Sequence, residues 1–298
     1  MDLIKISVII PVYNTALYLR EAICSVFNQT LQDIEIIAVN DGSEDDSLQV
    51  LNEMAALDKR LKVVSYDKNV GVSVCRNRGV DMATGKYIYF FDSDDLLDPD
   101  CLNVCFAKME SGNYDFIVFD GESFTEDGLK MGFNATYQRT RLMTNNVYKG
   151  VELIQLLIQQ KSYSCSVCLC VINREFILKN KLQFYPGVLY EDVLYSAHMY
   201  LIAQSVGFVP GTFFRRRIRK NSTMTSKISQ VNIDYRYTVA TELLKLKSNF
   251  TDKNSRQILN NQSKSLLVFL SKSLLRNGQI ALLIKNFFQI AKIILRSW

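Results

Sequence analysis

Residues 5–11 read KISVIIP, a continuous β-branched apolar run closed by Pro11, which is the pattern of a strand buried on both faces of a parallel sheet. Working outward, Asn14 or Thr15 offers a helix cap. Leu19, Ile23, Val26 and Phe27 then recur at three and four residues, so one helix face is set to pack on that strand. EIIAV at 35–39 predicts a second strand, NDGSEDD at 40–46 a loop, the residues to about Leu57 a helix and LKVVSY at 61–66 a third strand. A helix around Val72 to Ala83 and a strand at Tyr87 to Phe91 continue the alternation. Right-handed crossovers then make a doubly wound α/β layer the expected fold.

Beyond Asp95 the rhythm loosens. Residues 115–119 predict a strand, 121–148 hairpins or loops, 151–159 a helix and 164–172 a strand. From Val231 onward the periodicity is helical. The expected division is therefore a domain over 1–226, with a first half at 1–95 and a second half at 96–226, followed by a helical extension over 227–298. Composition agrees with a globular chain: 298 residues are 48% hydrophobic and 22% charged, outside the collagenous and disordered ranges, and no fixed-period repeat suggests a solenoid. Residues 193–214 lack fixed charge, but Gln204, Gly207 and Pro210 interrupt them, so they predict a helix and then a strand rather than a membrane span. The start, MDLIKISVIIPVYN, has too short an apolar run for an export signal, so a cytoplasmic protein is expected. Seven Cys with one His, and a lone CxxC at Cys165 and Cys168 beside Cys170, fit buried thiols better than a zinc or redox centre.

In open parallel sheets ligands sit beyond the carboxyl ends of the strands. Those ends read Pro11-Val12-Tyr13-Asn14, Asn40-Asp41-Gly42-Ser43 and Asp92-Ser93-Asp94-Asp95. A tyrosine beside a carboxylate can stack a base and accept its ring N–H, and Gly42 lets backbone approach a ribose. Asp92, Asp94 and Asp95 repel one another unless a cation is present, and a hard divalent ion shared with a diphosphate relieves that repulsion. Glu191-Asp192 follows an irregular Tyr185-Pro186-Gly187 turn and precedes an apolar helical run, so both carboxylates are expected at a helix N-terminus facing a cleft. Arg215-Arg216-Arg217 with Ser222 reads either as a pyrophosphate grip or as a solvated basic loop. His198 is given no role.

Together these stretches resemble the family 2 nucleotide-sugar glycosyltransferases of the GT-A fold. The resemblance rests on SVIIPVYN, VNDGSEDDS, NVGVSVCRNRGVDMATGKYIYFFDSDD, YEDVLYSAHMY and RIRKNS, spread over about residues 4–222. It implies an inverting, Mn²⁺- or Mg²⁺-dependent transfer of a sugar from a nucleoside diphosphate sugar, UDP-linked by expectation, to an acceptor hydroxyl in polysaccharide or lipid-linked glycan assembly. By the same resemblance Val12, Tyr13 and Asp41 meet the nucleobase, and Arg76 and Asn77 belong to the stretch closing over the nucleotide. Asp92-Ser93-Asp94 is the DxD motif, with Asp94 at ribose or metal and Asp95 sharing the metal. Asp192 is the general base, Glu191 orients it or binds acceptor, and Arg217 with Ser222 grips the pyrophosphate. The expected partners are a donor and a glycan or lipid-linked acceptor, not nucleic acid. Relatives often carry an aromatic and a basic residue where this chain has Cys168-Leu169-Cys170-Val171.

Two other functions compete. A sugar nucleotidyltransferase cradles triphosphate in a Gly-rich basic loop after its first strand, whereas PVYNTALY at 11–18 has neither Gly nor Lys. A non-catalytic membrane-surface protein on a degenerate transferase fold is the second. It draws on the charge split: residues 215–298 hold 17 Lys+Arg and 3 Asp+Glu, against 18 and 27 before them. Within that tail Ile280, Leu283, Ile284, Phe287, Ile290, Ala291, Ile294 and Trp298 predict one apolar helix face, with Lys285, Gln289, Lys292 and Arg296 opposite. Residues 279–298 are accordingly expected either to lie on an anionic membrane surface, making the protein peripheral on the inner face, or to pack on the domain.

Overall fold

The computed structural model describes residues 3–125, 136–143, 147–219 and 228–296. Its first part alternates as the periodicity predicts: β1 (Ile6–Val12), α1 (Ala16–Phe27), β2 (Ile34–Asp41), α2 (Ser47–Leu57), β3 (Leu61–Tyr66), α3 (Val72–Met82) and β4 (Tyr87–Phe90). There follow β5 (Leu96–Leu97), α4 (Cys101–Glu110), β6 (Phe116–Thr125), β7 (Thr136–Tyr137), α5 (Gly150–Gln159), β8 (Cys170–Asn173), α6 (Arg174–Lys179), α7 (Glu191–Ile202) and β9 (Val206–Ile218). Three helices close the chain: α8 (Gln230–Leu246), α9 (Lys253–Arg276) and α10 (Ile280–Arg296).

One sheet runs β3-β2-β1-β4-β8-β6-β9-β5, with β7 on β6. Strands β3, β2, β1 and β4 are parallel, and β8 then runs antiparallel to both β4 and β6. The apolar run of β1 is explained by its two faces. Ile9 joins Ile37, Ile88 and residues of α3, α5 and α7 in one core, while Val8 and Ile10 join Ile36, Ala38 and residues of α1, α2 and α4 in the other. Because β5 pairs antiparallel with β9 through Leu96–Arg215 and Leu97–Phe214, the acidic loop before β5 is drawn against the arginine-rich end of β9.

Two expectations need correcting. Thr15 stands at the N-cap of α1, yet its hydroxyl meets Ser93 Oγ at 2.9 Å, while Asp45 accepts from the Ala16 N–H and Ser47 Oγ from the Thr15 N–H. The 40–46 loop crosses close enough to do the capping. The strand predicted over 164–172 is a 3-10 turn at Val167–Leu169 followed by the short β8, and before the turn Cys165 meets Asp192 of α7. The hairpin reading of 121–148 fits the antiparallel pairing of β6 with β7 through Gly121–Tyr137 and Glu122–Thr136, while β6 itself runs on to Thr125 alongside β9 as far as Ile218.

The C-terminal helices do not form a detached bundle. Val239, Leu243, Ile258 and Leu259 enter the sheet core, and a further cluster joins Ile233, Tyr237, Leu267, Leu270, Leu274, Ile290 and Ile293. The predicted single apolar face of α10 is divided. Ile290 of that face packs inward, while Ile284 and Phe287 are 68% and 57% exposed; outside it, Ile293 is buried, Asn286 pairs its amide with Gln230 and Phe288 is 83% exposed. The apolar stripe is wider than two neighbouring helices can cover. Trp298 lies outside the described residues. Among those described, no helix is long and apolar enough to cross a membrane.

Candidate active site

The loops beyond β1, β2 and β4 meet at one edge of the sheet. Asp41 ends β2, and its carboxylate accepts the Val70 N–H at 2.6 Å and the Gly71 N–H at 3.0 Å, so it ties the loop entering α3 to the strand end. Gly71 has φ +96°, which favours glycine at this turn. Gly42 also has positive φ, and a Cβ there would lie 2.4 Å from the Lys68 carbonyl carbon. Its close approach is thus to this chain's own backbone. Val12 is fully buried, Tyr13 is 42% exposed, and Asn14 accepts the Glu44 N–H.

The acidic loop is held by arginines. Arg76 Nη2 donates to Asp92 Oδ1 at 2.9 Å, Arg219 Nε to Asp94 Oδ2 at 2.6 Å, and the Arg217 N–H to Asp95 Oδ1 at 2.8 Å. Asp95 is buried, and burial with Asp94 and Asp92 nearby pushes its carboxyl well above the usual range. Oxygen donors of this kind suit a hard divalent cation. Arg76 and Arg219 nevertheless pull Asp92 and Asp94 to different partners, and among the described residues no three ligating side chains are gathered for a metal.

Across the cleft α7 begins with Glu191 and Asp192, directly after Tyr190 in the left-handed region at φ +70°. Arg76 Nη1 donates to Glu191 Oε1 at 2.6 Å while its other terminal nitrogen holds Asp92, and its guanidinium lies 5.1 Å from the Phe184 ring centroid. Burial opposes its charge, but Asp92 and Glu191 outweigh burial and raise its pKa. Asp192 accepts from the Cys165 thiol at 3.2 Å. Burial first, then the Glu191 charge, pushes Asp192 up to about 6. A carboxylate poised there is ionised at neutral pH and basic enough to take a hydroxyl proton.

The structure thus brings Asp92, Arg76, Glu191 and Asp192 into one cluster. Asn77 turns its whole amide to the Phe184 peptide, donating to its carbonyl and accepting its N–H, both at 2.9 Å. Arg217 is buried, with Nε on the Asp94 carbonyl and Nη2 on Glu21 Oε2. Ser222 lies outside the described residues. Sequence reasoning missed Arg219, two residues beyond the three adjacent arginines, and Cys165, grouped there with the buried thiols. The available signal for Arg219 was its spacing of two from Arg217, just past the end of β9 at Ile218, since strand alternation repeats every second residue.

The sequence profile of glycosyl transferase family 2 matches residues 7–179. Glycosyltransferase GlyA of Streptococcus pneumoniae serotype 4 is 30% identical over 224 residues, 73% of this chain but 31% of GlyA. The cholesterol galactosyltransferase of Borreliella burgdorferi is 29% identical over 76% of this chain and 63% of its own length. Among solved structures, S. aureus TarS 1-349 in complex with UDP-GlcNAc superposes with TM-score 0.76 at 21% identity, covering 97% of this chain and 79% of that one. A mannosyltransferase of Pyrobaculum calidifontis, PcManGT, superposes at TM-score 0.56 with 13% identity over 98% of this chain and 85% of its own. With its GT-A sheet and a profile match across most of that sheet, the chain belongs to glycosyl transferase family 2.

Proposed function

We propose that this glycosyltransferase moves a sugar, with inversion, from a UDP-sugar to an acceptor hydroxyl. The observation carrying this reading is Arg76, one buried cation joining Asp92 of the DxD motif to Glu191 of the candidate base pair, so that donor-side and acceptor-side carboxylates share a single cleft. Tyr13, the Val12 main chain and Asp41 would meet the base, with Asn77 shaping the wall through Phe184. Asp94, with Asp92 and Asp95, would hold Mn²⁺ or Mg²⁺. The ion, when bound, neutralises the diphosphate leaving group. Arg219, released from Asp94, or Arg217 with Ser222, would carry the remaining phosphate charge. Asp192 takes the acceptor O–H proton as the acceptor oxygen bonds to the anomeric carbon and the bond from that carbon to the diphosphate oxygen breaks. Attack from the side opposite the diphosphate inverts the centre. The complexes of TarS with UDP-GlcNAc and of PcManGT with GDP-Man and Mn²⁺ support a nucleotide-sugar donor and a divalent ion.

The acceptor we assign is lipid-linked or otherwise membrane-borne, reached from an anionic surface. The exposed Ile284, Phe287 and Phe288 beside Lys285 and Lys292, and an apolar hollow of about 450 Å³ between α9 and α10, support peripheral attachment. The name of the Borreliella relative, with its sterol acceptor, points the same way. Isothermal titration with UDP, with and without Mn²⁺, together with donor hydrolysis across UDP- and GDP-sugars, tests the central reading. Metal-dependent UDP binding and hydrolysis of one donor are expected. Absence of both favours a non-catalytic surface protein.

A further inference from the structure

Arg236 lies in α8, far along the chain from the cleft, and is 6% exposed. Its guanidinium carbon sits 4.3 Å from the Tyr190 ring centroid and 5.2 Å from that of Phe269 on α9. Nη2 donates to Tyr190 Oη at 2.9 Å, while Nε and Nη1 are buried without a hydrogen-bond partner among the described residues. A buried cation between two aromatic faces is costly where a leucine or methionine would fill the same slot without desolvation. What an arginine adds here is directional: cation–π attraction and one hydrogen bond lock the phenol in a single orientation.

The residue so locked is itself unusual. Tyr190 has φ +70° and ψ 26°, a left-handed conformation that a bulky side chain adopts only when its surroundings impose it. The bend at Tyr190 sets the direction in which α7 starts, and the next two side chains are Glu191, reaching Arg76, and Asp192, reaching Cys165. We infer that Arg236 is a positioning residue: a brace from the C-terminal helices that holds the Tyr190 bend and thereby aims Glu191 and Asp192 into the cleft. The inference rests on the reading of Asp192 as the base. It makes α8 part of the active site's support.

The test uses the full chain and single-turnover hydrolysis of whichever of UDP-glucose, UDP-galactose, UDP-N-acetylglucosamine or GDP-mannose the wild type cleaves with Mn²⁺. Arg236→Met keeps the volume and removes the cation. It is expected to lower the hydrolysis rate by about 10- to 100-fold, the scale of a small misplacement of a reacting group, with nucleotide affinity little changed. In an Asp192→Asn background the same substitution should cost nothing more, because its effect passes through Asp192. An additive loss in that background, or a rate within about twofold of wild type in Arg236→Met while Asp192→Asn is impaired, overturns the brace and leaves the base reading standing. Full turnover in Asp192→Asn removes both. Should Arg236→Met not fold, Tyr190→Phe decides: a several-fold slower rate supports the brace, and an unchanged rate overturns it.

Discussion

The two ends of the same sheet treat buried carboxylates in opposite ways. At the end where the parallel strands begin, Glu35 is 2% exposed and accepts from Ser7 Oγ at 2.7 Å, Lys62 Nζ at 2.6 Å, the Thr84 N–H at 2.6 Å and Thr84 Oγ1 at 2.8 Å. Burial would raise its carboxyl, but these donors outweigh burial and hold it at about 2. At the end where the strands finish, Arg76 is divided between Asp92 and Glu191, and Asp95 and Asp192 are both driven upward. A carboxylate surrounded by donors is a rivet between strands. Carboxylates crowded beyond their donors are left with affinity for a proton, the condition under which a carboxylate can serve acid–base chemistry.

The sharpest way to break this contrast is Asp192→Asn. If the crowded end is chemical, its rate should fall by about 10²- to 10⁴-fold with UDP affinity unchanged. Because burial raises the Asp192 carboxyl to about 6, wild-type kcat/KM should decline as pH falls through that value, and the residual activity of the variant should lack this limb. A large affinity loss with little rate loss would move Asp192 to donor binding. Asp94→Asn comes next, with turnover down about 10²-fold and the Mn²⁺ enhancement of UDP binding abolished. Near-normal turnover at saturating Mn²⁺ would remove Asp94 from the metal.

At the riveted end the expected effect is on stability alone. Glu35→Gln leaves buried donors mismatched, so denaturant unfolding should show a loss of about 2 kcal/mol or more while the folded enzyme keeps its rate. The sign is set by a depressed carboxyl: its contribution is present above 4.5 and fades as pH falls toward about 2, so the variant should lose less stability than wild type across that window. A changed rate would mean that the two ends are not independent. The smallest effect is expected at the exposed face of α10, where Phe288→Glu should weaken co-sedimentation with anionic vesicles by about tenfold without altering the melting temperature. Undiminished co-sedimentation would reject that face as the contact.

Local pattern carried a good part of this molecule. The β-branched runs of β1 and β2 report burial on both faces, and the three- and four-residue recurrences in α1 report a packed stripe, because each depends only on a residue's own solvent exposure along a regular element. The acidic clusters after β4 and at the start of α7 were legible for the same reason: strand ends and helix starts are marked by sequence neighbours. What neighbours cannot record is pairing over distance. Arg76 finds Glu191 across 115 positions, Arg219 takes Asp94 across 125, and Arg236 reaches Tyr190 across 46. The last two pairs exist only once β5 has locked onto β9 and α8 has packed against α7, and the first only once α3 and α7 face each other. Likewise the apolar positions of α10 look equivalent in sequence, and it is the finite width of the α8–α9 surface that buries Ile290 and Ile293 and leaves Phe287 and Phe288 outside.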